Sequence, residues 1–135
     1  MTRLWGVLAG LSGALAVAIA AWASHGLEHV VAPELLARAA EQARTATLYH
    51  LIHTLALLGV ALWSRMQSTA WLNLAGFLFA TGIACFCLGI YALHLWWPAM
   101  GNGGLRYLVP VGGVAFILGW LALAAAALSW PVRRF

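Results

Sequence analysis

The side chains in this sequence that could do chemistry are five histidines, three glutamates and three tyrosines, with no aspartate and no lysine beside them. His25 and His29 stand four residues apart and His50 and His53 three apart. Either spacing puts two imidazoles on one face of a helix. Imidazole suits zinc, copper and haem iron, and Glu28 lies within the first pair to add a carboxylate. One reading is therefore a transition-metal or haem site drawn from His25, His29, His50, His53, His94 and Glu28. The order of these residues matches no compact metal motif such as H-E-x-x-H. An imidazole in an apolar segment also serves as a neutral hydrogen-bond partner between helices, as a step in a proton path, or as a contact for a small polar ligand. Gly-x-Ser-x-Gly, a P-loop and a dinucleotide-binding glycine pattern are all missing, so the sequence predicts no catalytic site. No cofactor is predicted outside the metal or haem alternative. Cys85 and Cys87 lie about 200° apart around a helix, which makes them small buried hydrophobes rather than joint ligands.

The elements that must position these groups are membrane helices. Of 135 residues, 64% are hydrophobic and 7% charged, and the mean hydropathy is +0.93. That leaves too little polar surface to cover a water-soluble globule. Seven arginines on such a chain report orientation rather than nucleic-acid binding, and no nucleic-acid partner is expected. The predicted fold is an all-α bundle of four transmembrane helices in a single domain, residues 1–135, with spans at about 4–24, 46–63, 71–96 and 110–130. Residues 33–45 carry Glu34, Arg38, Glu41 and Arg44 at helical spacings. They predict a short amphipathic interfacial helix leading into the second span. Prolines 33, 98, 110 and 131 mark segment boundaries. The first run is longer than the apolar region of a signal peptide, so it is read as a span.

Lipid gives helices no hydrophobic reason to associate, so close packing at small residues must hold them. Gly6, Gly10 and Gly13 in the first span, Gly82 and Gly89 in the third, and Gly112, Gly113 and Gly119 in the fourth supply such faces, whether for the bundle itself or for a homo-oligomer. Trp5, Trp63, Trp71 and Trp130 would mark one membrane interface and Trp22, Trp96 and Trp97 the other. Trp120 falls near mid-span and reads as a packing residue whose indole N–H needs an acceptor. Arg3, Arg65, Arg133 and Arg134 share one side against Arg38, Arg44 and Arg106, which predicts both termini in the cytoplasm. Four crossings also place all five histidines, the three glutamates and the three tyrosines toward the opposite leaflet. If the second span begins near Thr45 to Leu48, His53 lies roughly 8–13 Å below its start.

Several segments together resemble the YgdD-like family of small integral membrane proteins, known as domain of unknown function 423, with eukaryotic relatives called transmembrane protein 256. Ser24-His25-Gly26-Leu27 resembles its Ala-His-Gly-Leu motif, and YHLIHTLALL at Tyr49 to Leu58 is similar to its Tyr-x-x-x-His-Ala-Leu-Ala-Leu-Leu motif. Phe86 to Tyr91 resembles Phe-Ser-Gly-Ser-Leu-Tyr, and Pro110-Val111-Gly112-Gly113 with Phe116 and Gly119-Trp120 matches a Pro-x-Gly-Gly…Phe-x-x-Gly-Trp signature. The resemblance implies a multi-span membrane protein and singles out His25, Tyr49, His53 and Tyr91 as a polar cluster open to a ligand or partner. His50 stands where glutamine is usual, and His29 and His94 have no counterpart in these motifs. The function expected is that of a non-enzymatic accessory, assembly or scaffold subunit in a bacterial inner membrane, in contact with lipid and with a larger complex or a second copy. A metal- or haem-binding protein and a small transporter or proton-path component are the alternatives.

Overall fold

The structure is a computed structural model that describes residues 1–93 and 104–129. His94, Trp96, Trp97, Pro98, Trp130, Pro131, Arg133 and Arg134 lie outside the described residues. Helix α1 (Thr2–Gly26) ends in a 3₁₀ turn at Leu27–His29. Helix α2 (Pro33–Met66) follows, with proline in its first turn, where the missing N–H costs nothing. Thr69 then caps α3 (Ala70–Gly82) by accepting the Leu72 N–H on its hydroxyl. A π-helical segment, Ile83–Cys87, joins α3 to α4 (Leu88–Tyr91), and α5 (Leu108–Leu128) completes the described chain. Four helical stretches, Thr2–His29, Pro33–Met66, Ala70–Tyr91 and Leu108–Leu128, are long and apolar enough to cross a bilayer. The protein is an all-α bundle, as the apolar runs predict.

The expected interfacial helix at 33–45 and the second span form one helix of 34 residues rather than two. Its first half is rich in Ala, Leu, Glu and Arg, the residues that lose least on becoming helical, and no Gly interrupts it before Gly59. At ~1.5 Å per residue α2 is about 51 Å long, well beyond a ~30 Å hydrocarbon core. Its first turns keep Glu34, Arg38, Glu41 and Arg44 exposed while Ala39, Ala43 and Ala46 join the core beside Leu27. Helices α1 and α2 form an antiparallel hairpin, tied at one end by the Thr2 hydroxyl donating to the Ser64 carbonyl at 3.3 Å. The α3–α4 span packs on α5, and α2 joins the hairpin to it by lying against α3, the π segment and α4.

Trp5 corrects the interfacial reading. It is only 1% exposed, its ring fills the space that a Cβ on Gly76 would occupy, and it meets Phe77 edge-on at 4.8 Å. Its indole N–H donates to Asn73 Oδ1 at 3.2 Å, so the tryptophan can be buried without an orphaned donor. The small residues also divide. Gly10 faces open space, and a Cβ on Gly6 or Gly13 would find only ordinary contacts, with Ala61 and Thr54 at 3.9 and 3.5 Å. Gly89 is tighter, with Val109 at 3.2 Å, and Gly82, Gly112 and Gly119 meet Phe116, Phe86 and Phe79 so closely that no Cβ fits without movement. Close helix approach is concentrated where the third span meets α5.

Candidate functional site

The second turn of polar chemistry in α2, Tyr49 to Thr54, faces two different neighbours. His53 points toward α5 and α3, 4% exposed. Its ring stacks on Phe116, with centroids 3.5 Å apart and planes 11° from parallel, and Phe79 and Tyr49 each close on it at 5.9 Å. Both ring nitrogens are engaged. Nδ1 lies 2.7 Å from the Tyr49 carbonyl, and a carbonyl can only accept, so Nδ1 carries the proton and donates. Trp120 donates its indole N–H to Nε2 at 3.2 Å, and an indole can only donate, so Nε2 is the bare acceptor. The two bonds together specify one neutral tautomer. His53 is thereby a fully satisfied bond between α2 and α5, and its lone pair is already in use.

His50, three residues earlier, turns to α1 and is completely buried. Its Nε2 lies 3.0 Å from the Ser12 hydroxyl, which lies 2.7 Å from the Thr54 hydroxyl. The ring sits 6.0 Å from that of Tyr91, whose hydroxyl pairs with Thr47 at 3.1 Å. His50 Nδ1 has no hydrogen-bond partner.

The structure therefore unites Tyr49 with His53 but sets Tyr91 on the His50 side. His25 lies exposed at the end of α1. His29 and Glu28 are exposed there too, in a 3.8 Å contact of little energetic weight. Among the described residues no three of His, Cys, Asp or Glu converge as metal ligands.

The height of the histidines also differs from the one-sided expectation. Ser12 is the eleventh of the 25 residues of α1, and Trp120 the thirteenth of the 21 of α5. Their partners His50 and His53 therefore lie near the middle of the bundle. Ser12, Thr47, Thr54, Phe116 and Asn73 are partners that the histidine pattern did not reveal. A lone hydroxyl such as Ser12 in an apolar run was the available signal.

The family model for "Protein of unknown function (DUF423)" matches residues 19–113, more than half of the chain. This chain belongs to the DUF423 family. The matched stretch holds His25, Tyr49, His50, His53, Tyr91, Gly112 and Gly113 and stops short of Phe116 and Trp120. The DUF423 chain is 34% identical to a UPF0382 membrane protein of Haemophilus influenzae, over 87% of each. It is 30% identical to the UPF0382 membrane protein YwdK of Bacillus subtilis, over 92% of this chain and 95% of that one. With the UPF0382 inner membrane protein YgdD of Escherichia coli K12 it shares 28% identity over 94% of this chain and 91% of the relative. No solved structure matches it. Relatives named as membrane proteins and four helices of spanning length agree that this DUF423 protein is an integral membrane protein.

Proposed function

We propose that this DUF423 protein is a non-enzymatic accessory or assembly subunit of the bacterial inner membrane that docks a partner transmembrane segment beside Tyr49 and Trp120. The observation that carries the reading is an outward-facing aromatic patch within about one turn of mid-bundle height. Tyr49 is 42% and Trp120 45% exposed, and the Tyr49 ring lies 5.0 Å from the half-buried Phe86 and 6.4 Å from Phe116, which is buried beneath the patch. Tyrosine and tryptophan normally sit at the two interfaces of a membrane, where their polar ends reach water. Among the described residues none hydrogen-bonds the Tyr49 hydroxyl. A hydroxyl facing hydrocarbon at that depth is costly, and a polar group on a partner helix removes the cost. His53 supports the patch from behind by fixing the Trp120 ring.

The test is a photoreactive amino acid placed at position 49 in native membranes, compared with the same group at Leu11, which is 65% exposed on α1. A discrete protein adduct is expected from position 49 alone, identified by mass spectrometry as a membrane partner or a second copy. Lipid adducts of equal yield at both positions would sink the docking role. The arginine distribution supports cytoplasmic termini, which places the Gln67–Thr69 turn on that side as well. Ser68→Cys in a chain with Cys85 and Cys87 replaced is accordingly expected to react with an impermeant maleimide in inverted vesicles and not in intact spheroplasts.

A further inference from the structure

A groove of about 440 Å³ opens where the first turns of α1 meet the last turns of α2. Gly6, Leu58, Ala61 and Leu62 supply its apolar lining, and Thr2, Arg3 and Arg65 line it at the helix ends. Both arginines are exposed. The groove exists because Gly6 faces Ala61: a Cβ on the glycine would lie 3.9 Å from the alanine methyl, so two small residues leave room that a longer pair would fill. The bond from Thr2 to the Ser64 carbonyl holds the two helix ends together just beside it.

Among the described residues no acidic side chain offsets the charge at this end. The three glutamates are Glu28, Glu34 and Glu41, at the other end of the α1–α2 hairpin. The first turn of α1 contains no acidic residue, and among the described residues no carboxylate pairs with Arg3 or Arg65. Two guanidiniums at the level where a span leaves hydrocarbon bracket the height of a phospholipid phosphate, with their apolar stems along the acyl region. Guanidinium presents a planar fork of donors that matches phosphate oxygens. Below the pair, the apolar cleft points into the membrane, which suits a hydrocarbon chain and not a free anion. We infer that this groove seats one anionic phospholipid, its phosphate on Arg3 and Arg65 and one acyl chain against Gly6 and Ala61.

Native mass spectrometry on the full chain, stripped of lipid in a mild detergent and titrated with phosphatidylglycerol or phosphatidylcholine, tests this. One phosphatidylglycerol per chain is expected to be held at least about tenfold more tightly than phosphatidylcholine. R3Q/R65Q is expected to weaken it roughly thirtyfold, taking a membrane-surface arginine at its usual worth, while R3K/R65K keeps most of the preference. Both positions are exposed, and an unchanged unfolding temperature of the apo variants confirms that the fold is not the cause. Glycerophosphoglycerol and inorganic phosphate, which lack acyl chains, should fail to displace the lipid. Equal retention of the two lipids, or an unaltered preference in R3Q/R65Q, overturns the assignment. Displacement by either chain-free competitor at millimolar concentration overturns it in favour of a simple anion site.

Discussion

His53→Leu is expected to destabilise the bundle by about 2–3 kcal/mol, whereas His50→Leu, three residues away and more deeply buried, is expected to be neutral or slightly stabilising. Leucine at 53 removes the acceptor for the Trp120 indole N–H, and no water in the hydrocarbon can replace it. It also removes the ring stacked on Phe116. A lost hydrogen bond costs about 0.5–1.5 kcal/mol, a lost aromatic pair a similar amount, and the orphaned donor adds to both. At position 50 the ledger differs. Nδ1 is already a buried nitrogen without a partner, a state that costs roughly 1–3 kcal/mol. Leucine relieves that cost while giving up the Ser12–His50 bond, worth about 0.5–1.5 kcal/mol, and Ser12 keeps its bond to Thr54. Unfolding in detergent with increasing dodecyl sulfate measures both variants. A double-mutant cycle of His53→Leu with Trp120→Phe should return a coupling near the ~0.6–1.7 kcal/mol found between membrane helices. Equal effects of the two leucine substitutions, with no coupling to Trp120, would remove His53 from its role as the bond between α2 and α5.

The second large effect is expected between neighbouring glycines. Gly112→Ala should cost about 1–3 kcal/mol, the range for forcing an extra carbon into a packed interior. Gly113→Ala should stabilise by up to ~1 kcal/mol through helix propensity. A Cβ on Gly112 would overlap the backbone nitrogen and Cα of Phe86, atoms that no rotamer change can move aside. A Cβ on Gly113 would only touch the edge of the Phe86 ring at 3.8 Å. Phe86 lies in the π-helical segment, where its backbone comes up against Gly112 of α5. Thermal unfolding of the two alanine variants in the same detergent decides the matter, since opposite signs are required.

What could be read from sequence follows from which physical signal was long-range. Four apolar runs of spanning length sufficed for the architecture, because a bilayer allows little else to such a chain. Trp120 could be recognised as needing an acceptor from its mid-span position alone. Which acceptor it finds depends on how α5 is rotated against α2, and rotation is set by Phe86, Phe116 and the close contacts at Gly82, Gly112 and Gly119. Trp5 departs from its sequence expectation for the same reason. Its position near a span end suggests the interface, but Gly76 and Asn73, about seventy residues away, make a pocket for it. The charged start of α2 reads as a separate element, whereas it is continuous with the span. Nothing local distinguishes a helix that pauses at a membrane surface from one that continues through it. The π turn left no trace in composition or periodicity at all.

That turn also bears on how relatives of different length can be aligned. A π turn holds one residue more than an α turn over nearly the same rise. A chain that passes this stretch as unbroken α-helix can lose one residue between the counterparts of Phe79 and Tyr91 and still present both to their neighbours. The same gap placed elsewhere in the span would rotate every later side chain by about 100°, turning the counterpart of Tyr91 away from Thr47. Where length varies in this family, Ile83–Cys87 is the place in the third span where a single deletion leaves the flanking contacts in register.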